Sequence, residues 1–145
     1  MPDLPISAER IQADLSALEQ FTDPNLPYTR RAFTPYYLQA REWLALRMKD
    51  AGLLVSVDAA GNLIGSLGHS DAPLLMIGSH SDTQPTGGWL DGALGVVYGL
   101  EVVRALAEDS SSRHLAVDIV ALQDEESRFV SCLGSRSLCG LLEKN

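Results

Sequence analysis

Leu74-Leu75-Met76-Ile77-Gly78-Ser79-His80-Ser81-Asp82-Thr83-Gln84-Pro85-Thr86-Gly87-Gly88-Trp89-Leu90-Asp91-Gly92 is the stretch on which the reading of this chain turns. It opens as an uninterrupted apolar run, the pattern of a strand buried on both faces. It then breaks at Gly78-Ser79 into a loop that carries His80, Asp82 and Asp91 beside Pro85, Gly87 and Gly88. A second apolar run, Leu115–Leu122, ends in the same way, in Asp124-Glu125-Glu126. Two acidic loops that each follow the carboxyl end of a strand belong to the edge where open α/β sheets bind ligands.

Working outward, Gly92–Ala107 reads as a helix with Val96, Leu100, Val103 and Ala107 as its main stripe, widened by Leu94, Val97 and Val102; it should pack on a sheet. Upstream, Leu53–Val57 and Leu63–Leu67 flank the turn Ala60-Gly61-Asn62 and read as a hairpin. Before them, Thr34-Pro35 starts a helix in which Thr caps and Pro takes the first turn. Tyr37, Ala40, Leu44, Met48 and Ala51 line one face of it, and Gly52 closes it. Tyr36 and Trp43 read as packing residues. Residues 7–21 form another helix, with Ser7 as N-cap and Ile11, Leu15, Leu18 and Phe21 as the stripe. The adjacent Arg30 and Arg31 read as solvated charge. Arg136–Leu142 reads as the start of a last helix. Strands and helices alternate, so the class is α/β, a mixed sheet flanked by helices.

Length and composition set bounds. At 145 residues with 46% hydrophobic content the chain can bury one core. Nineteen acidic against eleven basic residues give a net charge of −8, which excludes the basic face of a nucleic-acid binder and the basic amphipathic helix of a membrane-surface protein. Cys132 and Cys139 make no disulfide framework and no zinc knuckle, and free thiols fit a cytoplasmic protein. If their segment is helical they lie about two turns apart on one face. The first residues have no basic n-region and no apolar core, so no signal peptide is expected.

His80, Asp91 and Glu126 are the candidate metal ligands, one imidazole and two carboxylates. Asp91 suits a bridging role, since hydrolytic sites with two ions use a carboxylate shared between them. Asp82 can accept the second ring N–H of His80 and fix its tautomer. Glu125, beside a ligand, is the candidate general base for amide hydrolysis. The alternatives are that these carboxylates are solvated loop residues, or that Asp91 merely caps its helix. Ser79 and Ser81 form no nucleophile elbow, and Gly87-Gly88 is no phosphate loop.

Gly78-Ser79-His80-Ser81-Asp82-Thr83-Gln84-Pro85-Thr86-Gly87-Gly88, followed by Asp91-Gly92 and Gly95-Val96, closely resembles the metal loop of the amidase/hydantoinase-carbamoylase family. That group includes allantoate amidohydrolases, N-carbamoyl-L-amino acid hydrolases and β-ureidopropionases, within the M20 metallopeptidase superfamily. Asp58-Ala59-Ala60-Gly61-Asn62-Leu63, Glu125-Glu126-Ser127-Arg128-Phe129 and Leu133-Gly134-Ser135 extend the resemblance over nearly the whole chain. The short step from His80 to Asp91 favours the carbamoylase/allantoate branch over deacylases, whose insertion there is longer.

The resemblance implies an aminopeptidase-like (zinc-exopeptidase) catalytic domain with two divalent ions, Zn²⁺, Mn²⁺ or Co²⁺. It implies His80 on one ion, Asp91 bridging, Glu126 on the second, Glu125 as the base and Asp82 behind His80. The substrate would be a small carboxylate compound bearing a carbamoyl or ureido group, and the full-length enzyme a homodimer. The family also needs later histidines and a lid domain that carries dimerisation. His69 and His114 do not match those positions. Residues 1–145 are therefore expected to be the N-terminal portion of such a catalytic domain, with little turnover alone. The rival readings are a non-catalytic remnant or interaction module, and an M20-type peptidase.

Overall fold

The computed structural model describes residues 4–67, 74–109 and 115–142. His69 and His114 lie outside the described residues, as does the whole polar loop at 68–73. The elements are α1 (Ala8–Glu19), α2 (Pro35–Asp50), β1 (Leu54–Val57), β2 (Leu63–Ser66), β3 (Leu74–His80), α3 (Ala93–Glu108), β4 (Ala116–Leu122) and α4 (Leu133–Leu138). Local chemistry sets the helix starts: the Ser7 side chain accepts from the Arg10 N–H, and Thr34 accepts from the Tyr37 N–H ahead of Pro35.

The four strands form one mixed sheet in the order β1-β2-β4-β3. The expected hairpin is present, β1 antiparallel to β2, and β2 is antiparallel to β4. β3 and β4 run parallel, joined through α3. The connection is long because parallel neighbours need a crossover. α3 packs on β3 and β4, α2 on β1 and β2, and α1 on α3. Leu15, Leu18, Leu44, Met48, Leu100 and Ile119 sit in one shared core. Among the described residues, no helix is long and apolar enough to cross a membrane.

Several expectations are corrected. β3 is not buried on both faces: Leu74 is 55% and Leu75 58% exposed. Among the described residues it lies at the edge of the sheet, with no strand paired on its outer side. β4 lies inside the sheet between β2 and β3 and is buried from Ala116 to Ala121. In α3, Ala107 faces outward while Ala105 and Leu106 are buried, so the stripe shifts at the last turn. The final helix begins at Leu133, three residues before the expected start, and Cys132 and Cys139 flank it rather than sharing its face. Both thiols are free.

A charged cluster ties α1 to α3. Glu101 is 1% exposed. It accepts from the Ser7 N–H at 2.7 Å and from Arg10 Nη2 at 2.7 Å and Nε at 3.0 Å. Arg104 Nη1 stands 3.7 Å away and also pairs with Asp14. Burial by itself would raise the Glu101 pKa. The hydrogen bonds from Arg10 and Ser7, with the charges of Arg10 and Arg104, hold it below the usual carboxylate range. A depressed native pKa contributes stability that is present above the unfolded value and lost as pH falls through the native one. Thermal stability should therefore drop on acidification below about pH 4.5, with a shallower slope in Glu101→Gln. Glu101→Ala, which leaves Arg10 and Arg104 without their acceptor, should cost about 3 kcal/mol in denaturant unfolding.

Candidate metal centre

The parallel register sets His80 opposite Leu122. The loops that leave β3 and β4 therefore start at the same edge of the sheet. His80, Asp91 and Glu126 are brought together, each offering one ligand atom within 4.8 Å of the others. His80 Nε2 stands 3.9 Å from Glu126 Oε1. Nδ1 lies 2.9 Å from the main-chain carbonyl of Asp82. A carbonyl has no proton to give, so Nδ1 carries a hydrogen, and in the neutral ring Nε2 is then the nitrogen with the lone pair a metal needs.

Asp91 does not cap α3. The N-cap is Gly92, with no side-chain capping bond, and the Asp91 carbonyl accepts from the Ala93 N–H. Its carboxylate is exposed and left for another task. Gly92 has φ +69°, and a Cβ there would meet the His80 carbonyl oxygen at 2.6 Å as well as the imidazole ring. Only glycine lets the start of α3 pass this close to the histidine.

Asp82 differs from expectation in one respect. Its main-chain carbonyl, rather than its carboxylate, holds His80; Oδ1 stands 3.7 Å from Nδ1. The carboxylate instead accepts the Glu126 N–H through Oδ2 at 3.1 Å, so it steers the second acidic loop. Burial pushes the Asp82 carboxyl above its usual range, against the pull of the Glu126 N–H and of His80. Gln84 joins the same two loops by donating to the Glu126 carbonyl at 2.7 Å.

Asp124 is scaffold. It is buried with φ +50°, and its carboxylate accepts the N–H groups of Arg128, Phe129 and Val130 at 2.8, 2.9 and 3.1 Å. This folds the loop back and presents Glu125 and Glu126. Glu125 Oε2 accepts from the Ser135 hydroxyl at 2.9 Å.

Beneath the loop lies a polar layer that sequence reasoning missed. Asn62 Oδ1 accepts the Gln123 N–H at 2.9 Å, and its Nδ2 donates to Asp58 and to the Gly134 carbonyl. The Tyr37 hydroxyl donates to Gln123 Oε1 at 2.9 Å. Burial pushes that phenol up to about 12. A Cβ on Gly134 would meet the Gln123 nitrogen at 2.5 Å and Asn62 Oδ1 closer still, so the start of α4 touches this layer only as glycine. Asn62 and Gly134 both lie in the motifs that carried the resemblance, and that was the available clue. Arg30 is the larger miss. It is 2% exposed rather than solvated. Burial pushes its guanidinium down to about 10, against the attraction of Asp82. Nothing in the spacing separates it from exposed Arg31.

The donor set fits a divalent ion. One imidazole, with Nδ1 engaged by the Asp82 carbonyl, and two carboxylates are ligands that zinc, manganese and cobalt accept. The three ligand atoms lie within 4.8 Å of one another, on a buried His80, an exposed Asp91 and a partly buried Glu126.

Comparison with known proteins gives the same direction. The family model of peptidase family M28 matches residues 62–145. An N-carbamoyl-L-amino acid amidohydrolase of Geobacillus stearothermophilus is 40% identical over 142 residues, covering 94% of this chain and 35% of the relative. A ureidoglycolate hydrolase of Arabidopsis thaliana is 34% identical over 145 residues, covering 97% and 30%. The crystal structure of a hydantoinase/carbamoylase family amidase from Burkholderia phymatum superposes with a TM-score of 0.85 at 50% identity, covering 93% of this chain and 33% of that one. The chain thus spans about a third of the length of the relatives it matches. Gly92→Ala is the substitution that probes the centre's packing. It should lower stability by about 1–2 kcal/mol from the left-handed backbone alone, seen in denaturant unfolding, and should displace the His80 ring, seen in its imidazole chemical shifts.

Proposed function

Since the chain belongs to peptidase family M28 and is similar over nearly its whole length to hydantoinase/carbamoylase-type amidases, we propose that it supplies part of a metal-dependent amidohydrolase centre. The substrates are small carboxylate compounds whose carbamoyl or ureido C–N bond is cleaved, as the names of the relatives suggest. The observation that carries this reading is the meeting of His80, Asp91 and Glu126 at one sheet edge, with His80 Nδ1 held by the Asp82 carbonyl and Nε2 3.9 Å from Glu126 Oε1.

His80, Asp91 and Glu126 would hold two divalent ions, Zn²⁺, Mn²⁺ or Co²⁺, with Asp91 shared between them. Such ions supply Lewis acidity, polarising a carbonyl and making water a competent nucleophile near neutral pH. The residues do the rest. Asp82 holds the His80 ring through its carbonyl and the Glu126 main chain through its carboxylate. Glu125 is the base: Ser135 anchors Oε2, so Oε1 takes the proton from water and passes it to the leaving nitrogen. Three donors are too few for two ions of four or more ligands each. The 145 residues alone should therefore bind metal weakly and turn over little.

The M28 description of the matching family model favours a second reading, a peptidase, and dipeptides are the substrates that separate the two. In calorimetric titration with Zn²⁺ or Mn²⁺, the chain should bind and Asp91→Ala should lose at least tenfold in affinity; equal titrations would mark a non-catalytic remnant. In a longer protein that carries these residues and hydrolyses N-carbamoyl amino acids, allantoate or ureidoglycolate, Glu125→Gln should lower kcat by about 10²–10⁴ with unchanged metal content. Hydrolysis of dipeptides in preference to ureido compounds would overturn the substrate assignment.

A further inference from the structure

We propose that Arg30 is a positioning residue for the metal centre: its buried side chain and main chain clamp the Ser81–Thr83 segment and so set the carbonyl that orients His80. This rests on the reading of His80 as a ligand.

The geometry is specific to the residue between Ser81 and Thr83. On one side of Asp82, Arg30 Nε donates to the Ser81 carbonyl at 2.7 Å. On the other side, the Arg30 N–H donates to Thr83 Oγ1 at 2.8 Å, and the Arg30 carbonyl accepts the Thr83 N–H at 3.0 Å. Asp82 is thus bracketed by one arginine, and its carbonyl is the acceptor for His80 Nδ1. The clamp is anchored in turn. Arg30 Nη1 donates to the carbonyls of Leu18 at 2.8 Å and Phe21 at 3.2 Å, at and just beyond the end of α1. Carbonyls at a helix C-terminus carry partial negative charge, which suits a guanidinium held out of water. The Asp82 carboxylate adds its attraction. A buried arginine used only for stability would need none of this focus on a single residue beside a candidate ligand.

Lysine cannot replace it. The guanidinium is a planar fork that reaches Ser81 on one edge and α1 on another, whereas an ammonium is a point charge that cannot span both. Arg30→Lys should keep the charge and release the loop. Arg31, exposed on the neighbouring position, provides the control.

The test uses ¹⁵N-labelled protein of 145 residues at pH 8 and reads the His80 imidazole nitrogens by long-range proton–nitrogen correlation, assigned with His80→Gln. Wild type and Arg31→Lys should show Nδ1 protonated and Nε2 bare. Arg30→Lys, with folding checked by circular dichroism, should show a mixture of tautomers and bind Zn²⁺ about tenfold more weakly. A folded Arg30→Lys with the wild-type tautomer and wild-type Zn²⁺ affinity overturns the proposal. If Arg30→Lys does not fold, Thr83→Val decides, because it removes one arm of the clamp, together with the Thr83 hydroxyl bond to the Tyr28 carbonyl, and leaves the buried charge in place. It should bind Zn²⁺ about threefold more weakly with a partly mixed tautomer, and wild-type behaviour in both readouts overturns the proposal. If wild type itself binds no Zn²⁺, the metal reading falls, and the tautomer alone decides the role of Arg30.

Discussion

Seven residues of β3 pair in parallel with β4, from Leu74 opposite Ala116 to His80 opposite Leu122. The candidate centre depends on this register. Paired residues in parallel strands are level with one another, so both chains leave the sheet at the same height and on the same edge. A slip of one residue would turn His80 to the other face, since side chains alternate with a period of two. α3 completes the arrangement: it begins directly behind Asp91 and returns the chain to β4.

Loops that carry ligands need support that apolar packing cannot give, because their backbone is irregular and its polar groups are buried. Here that support is a set of buried polar contacts. Asp124 satisfies three N–H groups of its own loop, Asn62 receives Gln123, Tyr37 reaches Gln123, and Arg30 satisfies the carbonyls of Leu18, Phe21 and Ser81. Each unpaired group would cost about 1–3 kcal/mol in the interior. The contacts stabilise the loops and also restrict them to one conformation, which a centre of several ligands requires. The candidate ligands rest on these buried contacts, His80 itself buried, Glu126 partly buried and Asp91 exposed.

The balance of burial across the sheet is uneven. β4 is covered on both faces, while β3 shows apolar side chains at the outer edge. The opposite edge, β1, also exposes Leu54 and Val57. The described core therefore lies under the three long helices and around β4.

Much was legible in the sequence. Helix starts at Ser7 and Thr34, the Tyr37-Ala40-Leu44-Met48 face, the β1-β2 hairpin and the α/β class all follow from local rules: capping chemistry, a period of 3.6, and branched residues around a turn. His80, Asp91 and Glu126 were legible as residue types placed after apolar strands, and the resemblance assigned them together. Tertiary structure decided what depends on neighbours distant in the chain. Among the described residues it set β4 between β2 and β3 and left β3 at the edge, although both are apolar runs of similar length. It separated Arg30 from Arg31, identical in type and adjacent, because only Arg30 reaches the end of α1 and the Ser81 carbonyl. It also moved the Asp82 role from carboxylate to carbonyl, since a main-chain acceptor leaves no trace in residue identity. Sequence patterns report what a residue and its near neighbours prefer; which buried partner each polar group finds is settled only when the chain closes on itself.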